Sequence, residues 1–396
     1  MIDLSDLAVE NLVRLYDYDL FDLGEMADAI RKEKHANKVY FNLNRHINPS
    51  NICADICKFC AFSAHRKNPN PYEMTKDEIL GVAKSAHKSG AREFHIVSAH
   101  NPNYDYKWYF DIFRTIKARF SDVHIKALTA AEVDFLHRKF GKSYEEILRD
   151  MAESGVDSMP GGGAEIFNAE IRNKVCKGKV SAENWLKIHA LWHKMGFKSN
   201  ATMLFGHIES RAHRIEHILE IRNLQNESLK SAKSSANSSI VDEKSGLRSH
   251  EREDRTNGSS TKRVASLPDL SPQDEFVGGF NAFIPLLYQR QNNYLNIKDF
   301  PSGIEVLKTI AISRILLPNV PNIKAYWATL GLNLALVAQE FGANDIDGTI
   351  EQENIQSAAG AKSKNGVSKE LLVSQIKDAG FVAVLRDSLY NEVERF

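Results

Sequence analysis

The sequence is poor in cysteine, carries no surplus of either charge and contains no long apolar run. Each absence excludes something. Four cysteines in 396 residues, three of them crowded together, do not pair evenly into a disulfide framework. Lysine and arginine total 51, as do aspartate and glutamate, which argues against a chain built to hold nucleic acid by charge. The most apolar stretch, residues 326–338, is too short and too broken to span a bilayer, so no membrane partner is expected. The start, Met1-Ile2-Asp3-Leu4-Ser5-Asp6-Leu7, is acidic and amphipathic and lacks the basic beginning and apolar core of a secretory signal. A reducing cytoplasm is the expected location, and it suits free thiols. Residues 226–275 lack Phe, Tyr and Trp and are dense in Ser, Lys, Arg, Asp and Glu. Such a stretch cannot bury enough apolar surface to offset its ordering entropy. It reads as a disordered insertion, with a folded helical hairpin as the alternative.

What is present is concentrated in one short run, Asn51-Ile52-Cys53-Ala54-Asp55-Ile56-Cys57-Lys58-Phe59-Cys60. A cubane iron–sulfur cluster has four irons, and each wants a thiolate. A loop offering three leaves one iron without a protein ligand, and an open position on a metal is where chemistry happens. The metal ligands predicted here are Cys53, Cys57 and Cys60. A zinc knuckle wants four ligands, and His46 and His65 flank the loop, so a Cys3His zinc site is the alternative. Cys176 reads as an ordinary thiol; a fourth-ligand role is its alternative, since cluster ligands are often distant in sequence.

Residues 1–38 read as a helical N-terminal extension, with Leu12, Leu15, Leu20, Met26 and Ile30 on apolar faces. From residue 39 to 396, short β-rich runs alternate with long helical ones. Strands are expected at 39–44, 93–98, 124–129, 155–159, 199–205, 280–286 and 323–328. Helices are expected at 76–89, 106–120, 143–153, 182–195, 212–224, 303–316 and 332–341. Repeated β-then-α units call for a parallel sheet with right-handed crossovers. The fold class is therefore α/β, and six or seven such units suggest a full or partial TIM-type (β/α) barrel followed by a C-terminal extension. The cysteine loop follows the first strand, on the face where barrels carry their active sites.

Other candidates sit after later strands. Gly161, Gly162 and Gly163 follow the fourth, where glycines let the backbone approach a ligand and free N–H groups to bind it; a tight βα turn is the alternative. His207, Glu209 and Arg211 run off the fifth strand. Of these His207 is the catalytic candidate, able to donate a hydrogen bond or move a proton. Arg45 and His46, at the end of the first strand, and Arg290, after the sixth, are the candidates for neutralising substrate carboxylates.

The C-x3-C-x2-C spacing resembles that of the radical S-adenosylmethionine (SAM) enzymes. The longer text resembles their menaquinone and deazaflavin branch: residues 44–63 around the thiols, Pro160 to Phe167, Thr202 to Glu209, Gly278 to Leu286, Pro321 to Trp327 and Gly342 to Ile350. The resemblance implies a barrel of the radical SAM kind and a 4Fe-4S cluster on Cys53, Cys57 and Cys60, with SAM as co-substrate at the open iron. It implies that Phe59 lies beside the adenine, that the segment at Ser98 holds the SAM amino group, and that Thr129 and Glu132 reach the ribose or the methionine part. Ala99 stands where a glycine is common in these enzymes. The implied activity is addition of the adenosyl group to a small-molecule aryl enol ether, the 1-carboxyvinyl ether of 3-hydroxybenzoate. The product would be 6-amino-6-deoxyfutalosine, with a reductant protein supplying the electron. Sister radical enzymes of the same branch, and a non-catalytic cluster or zinc protein, are the alternatives.

Overall fold

The structure, a computed structural model, describes residues 7–65, 67–244, 278–361 and 366–396. Its frame is a parallel sheet of seven strands in sequence order: β2 (Asn44–Ile47), β3 (Glu93–Ile96), β4 (His124–Ala127), β5 (Ser158–Met159), β6 (Lys198–Phe205), β7 (Gly279–Leu287) and β8 (Asn322–Ile323). Helices such as Lys76–Lys88, Tyr106–Arg119 and Ala182–Lys194 carry the chain from one strand to the next. Parallel neighbours need such crossovers, and the sheet curls into a partial barrel. Among the described residues no helix is long and apolar enough to cross a membrane.

The strands alternate in an inverted sense. In β3 and β4, Phe94 and Ile125 point outward and are fully covered by the helices. Glu93, His95 and Lys126 point inward. Both faces of a barrel strand are covered, so the polar side lines the lumen and the apolar side holds the helices. Burying each outward side chain contributes roughly 1.5–3 kcal/mol.

Where one strand was expected over 39–44, there are two. β1 (Lys38–Asn42) belongs to a second sheet of order β11-β10-β1-β9, with β9 (Asp345–Gly348), β10 (Val382–Arg386) and β11 (Glu392–Arg395); β2 begins the barrel sheet one residue later. The chain changes partners at Leu43 because residues 345–351 reach both halves. The Thr349 N–H donates to Asn42 O at 3.1 Å, and the Ile350 N–H to Asn44 Oδ1 at 2.8 Å. Isolated parallel bridges join Lys324 to Asp345 and Arg45 to Glu351. The same segment thus spans the gap between β8 and β2.

Other departures are local. The helix Ala130–Phe140 fills a stretch where none was expected; a capping box of Thr129 and Glu132 starts it. The expected helix over 332–341 is present as Leu332–Val337 running into the 3-10 turn Ala338–Phe341, and a short helix, Trp327–Leu330, precedes it where the end of a strand was expected. The expected strand over 323–328 shrinks to β8. The helix Arg211–Lys244 continues well past the expected end at 224, so the first part of the 226–275 stretch is helical rather than disordered. Its residues such as Leu229, Lys230, Ala232 and Lys233 are good helix formers. The rest of that stretch, within 245–277, lies outside the described residues.

Candidate active site

The C-terminal ends of the barrel strands open into a cavity of about 280 Å³, walled by Cys53, Cys57 and Cys60 at its mouth. The thiol loop is an extended run with alternating faces: Ala54, Ile56 and Lys58 are exposed, with Ile56 at 83%, while Cys53, Asp55, Cys57 and Phe59 turn inward. Backbone bonds from three directions fix it. The Ala54 N–H donates to His100 O at 2.9 Å, the Lys58 N–H to Val175 O at 2.8 Å, and the Tyr294 N–H to Lys58 O at 2.7 Å. The Ser63 N–H points at Cys60 Sγ at 3.4 Å. Burial raises the Cys53 and Cys57 thiols, Cys57 well above its usual range. A bound cation would reverse that sign.

The donor set suits a cluster with one open iron. Three free thiols share one wall. Cys176, buried at the end of the helix Ala169–Val175, is not on it. The Cys3His zinc alternative is not assembled. Among the described residues no three His, Cys, Asp or Glu side chains gather to hold a single ion. His65 places Nε2 3.1 Å from Cys60 O and accepts the Lys67 N–H on Nδ1 at 3.0 Å. His46 sits against the His95 ring, 4.6 Å away.

The three glycines line the cavity beside Phe59 and Thr129. A Cβ on Gly161 would lie 2.8 Å from the backbone of residues 200–202, and one on Gly162 2.8 Å from Thr129 Cγ2. Gly163, at φ +92°, would meet Ala131 Cβ at 2.7 Å. These positions therefore bring the ends of β4, β5 and β6 together and leave bare backbone at the cavity wall. Thr202 Oγ1 donates to Gly161 O at 2.6 Å and locks that approach. Ser98 lines the cavity, but its N–H is spent on Glu132 Oε1 at 2.9 Å. Glu132 is buried behind the wall, and its other oxygen accepts the Thr129 N–H and hydroxyl, both at 2.8 Å. It therefore positions Ser98 and Thr129 rather than facing a ligand.

Besides Glu132, three expected residues, His207, Arg45 and Arg290, do not line the cavity. After β6 the chain turns back at Gly206, φ +85°. His207 is consequently enclosed, with Nε2 3.1 Å from Leu204 O and Nδ1 3.1 Å from Glu209 Oε2 at an angle that makes no hydrogen bond. Glu209 also accepts the N–H groups of Gly206 and His207 and the Arg214 Nε–H, at 2.6, 2.9 and 2.7 Å. These bonds clamp the turn, and His207 is not among the residues lining the cavity. Arg45 is one residue out of phase with His46, so it faces the closing segment. It donates to Glu351 Oε2 at 3.2 Å and Gln352 Oε1 at 2.6 Å. Arg290 is exposed and lies over the Phe300 ring at 4.6 Å. Arg211, off the same turn as His207, pairs with Glu305 at 2.7 Å.

His46 does face the cavity. The cations beside it escaped the sequence reading. Among the described residues, the Lys and Arg side chains that line the cavity are Lys126, Lys179 and Lys324, and each is paired with a carboxylate that also lines it: Glu93 at 2.7 Å, Glu165 at 2.8 Å and Asp347 at 2.7 Å. Burial alone would raise the Glu93 and Asp347 carboxyls, yet Lys126 and Lys324 hold them well below the usual range. For Lys126 the sequence signal is a charged residue between Ile125 and Ala127 inside a strand; Lys179 lies in the link between two helices and Lys324 just past β8.

Residues 47–221 match the radical SAM superfamily, and residues 277–395 match the CofH/MqnC C-terminal region. The chain is 34% identical to the aminodeoxyfutalosine synthase of Thermus thermophilus, over 97% of this chain and 91% of that one. It is 32% identical to the 5-amino-6-(D-ribitylamino)uracil–L-tyrosine 4-hydroxyphenyl transferase of Methanococcoides burtonii, over 97% and 95%. Among solved structures, methylornithine synthase superposes with a TM-score of 0.65 at 16% identity, covering 96% of this chain and 95% of that one; at that identity the likeness is one of fold.

Proposed function

The chain belongs to the radical SAM superfamily, and on that premise we propose that it is an aminodeoxyfutalosine synthase. It would join the adenosyl group of SAM to the 1-carboxyvinyl ether of 3-hydroxybenzoate, with loss of a carboxyl group, as a step of menaquinone biosynthesis. The observation that carries this reading is the similarity to the T. thermophilus synthase along almost the whole chain.

When bound, the 4Fe-4S cluster and SAM supply a 5′-deoxyadenosyl radical. Cys53, Cys57 and Cys60 would hold the cluster, and an external reductant protein would deliver the electron. Phe59 and the bare backbone of Gly161, Gly162 and Gly163 would border SAM, with Ser98 and Thr129 fixed by Glu132. Further in, Val97, Leu204, Ile284 and Leu286 present an apolar wall. That wall packs an aromatic ring and keeps water from a reactive carbon. Holding the two reactants in one enclosed cavity replaces a bimolecular encounter with a fixed approach.

The test is anaerobic reconstitution with iron and sulfide, then incubation with reductant, the aryl enol ether and SAM labelled in its adenosyl group. The label should appear in an aryl product of the mass of 6-amino-6-deoxyfutalosine. A second reading draws support from the M. burtonii relative, whose name gives a ribitylaminouracil and tyrosine as substrates. Label found only in free 5′-deoxyadenosine, with turnover of that substrate pair, would replace the first reading by the second.

A further inference from the structure

We propose that Lys126, Lys324 and His46 form a binding site for the carboxylate of an aromatic acid at the floor of the cavity. The inference rests on the functional reading above and gives it the group that fixes the substrate's orientation.

The strand register builds the site. His46 on β2 pairs with His95 on β3, and His95 pairs with Lys126 on β4. These three inward side chains therefore stand in one row across three strands. Lys324 enters from the end of β8, on the far side of the closing segment. All four residues line the cavity.

Each group has hydrogen-bonding capacity left over. An ammonium carries three N–H donors. Lys126 spends one on Glu93 at 2.7 Å. Lys324 spends one on Asp347 at 2.7 Å, with Asp345 at 4.0 Å. His46 Nε2 is buried and has no partner. The ammonium N–H groups left over are charge-assisted donors that a carboxylate oxygen would accept from, and the Nε2–H tautomer of His46 would add a third donor.

The surroundings narrow the anion. Glu93 and Asp347 already balance the two lysines, and Glu353 faces the same space with its oxygens accepting the Ile355 and Ser357 N–H groups. A doubly charged phosphate would meet three carboxylates; a singly charged carboxylate meets less repulsion. Above the floor stand Val97, Leu204, Ile284 and Leu286, a wall for a flat apolar body. The ligand class is an aryl carboxylate. Seated this way, the carboxylate of the benzoate ring points away from the thiols, and the enol ether at the other end of the substrate points toward them.

The experiment uses the reconstituted full-length protein and two fragment probes, benzoate and benzamide, titrated by calorimetry. Wild-type protein should prefer benzoate by about tenfold or more, the value of a charge-assisted hydrogen bond. Lys126→Gln and Lys324→Gln should each lose most of that preference. A second measurement needs no variant: in crystals of the wild-type protein soaked with benzoate, the carboxylate should lie within hydrogen-bond distance of Lys126 and Lys324 Nζ. No preference in the wild type, full preference kept in either variant, or a benzoate carboxylate seated away from both lysines overturns the proposal. The fragment arms need no turnover, so a protein that binds benzoate at these lysines but makes no futalosine product refutes the functional reading alone.

Discussion

Lys324 Nζ lies 2.7 Å from Asp347 Oδ2, while Asn44 Nδ2 donates to the other oxygen of the same carboxylate at 2.8 Å. One side chain thus ties the last strand of the barrel sheet to the first. Asp347 does this from a left-handed backbone, φ +80°, a conformation that costs non-glycine residues free energy and that aspartate and asparagine tolerate best.

The first prediction follows from that link. Asp347→Ala leaves Lys324 buried without its counter-ion and Asn44 without its acceptor. Breaking a buried pair in this way should cost about 3 kcal/mol or more. Asp347→Asn keeps the backbone preference and one acceptor and should cost visibly less. Urea unfolding of the three proteins decides it; equal midpoints for Ala and wild type would show that the barrel does not depend on this closure.

The thiols give the second. Replacing Cys53, Cys57 or Cys60 with Ala should abolish the visible absorbance and the iron content of the reconstituted protein, because each iron bound to the protein needs its own thiolate. Cys176→Ala should keep both, since Cys176 is off the cavity wall. Loss of iron in the Cys176 variant alone would place the fourth ligand there.

His207 supplies the third, and the expectation is of stability rather than chemistry. Its ring is enclosed beside Leu204 O and Glu209. His207→Ala should destabilise the protein by about 1–3 kcal/mol while leaving the pH profile of turnover unchanged at a temperature where the variant is folded. A lost limb in that profile would return His207 to the chemistry.

Acid stability is the fourth. Burial holds several histidines neutral: His35, His193 and His217 are pulled down to about 3 and His124 to about 4, from the usual value near 6.5. Between those limits the unfolded chain binds protons that the folded one refuses, so lowering the pH favours unfolding. Stability from these groups is complete above about pH 6.5 and falls steadily below it. Thermal midpoints measured from pH 7.5 to 4 should decline, and His193→Gln, which removes one such group, should flatten the decline.

Much of this was legible before any coordinates. Three thiols within eight residues must share one loop, because so short a chain cannot separate them. Seven alternations of β-rich and helical text imply parallel strands and crossovers, since no short turn joins parallel neighbours. Glycine at 161–163 predicts a close backbone approach to a ligand; the approaches the structure shows are to the backbone of residues 200–202, to Thr129 and to Ala131. The first two inferences hold because each rests on residues near one another in the chain.

Tertiary structure decided the rest. Arg45 and His46 differ by one place in a strand, and only the pairing of β2 with β3 and with the closing segment decides which of them faces the lumen. His207 was lost to the site by one turn at Gly206. The partners of Lys126, Lys179 and Lys324 lie 33, 14 and 23 residues away in sequence. Side-chain period and thiol spacing are properties of the chain itself. The meeting of one strand's charge with another's depends on register and barrel closure, which no local pattern specifies.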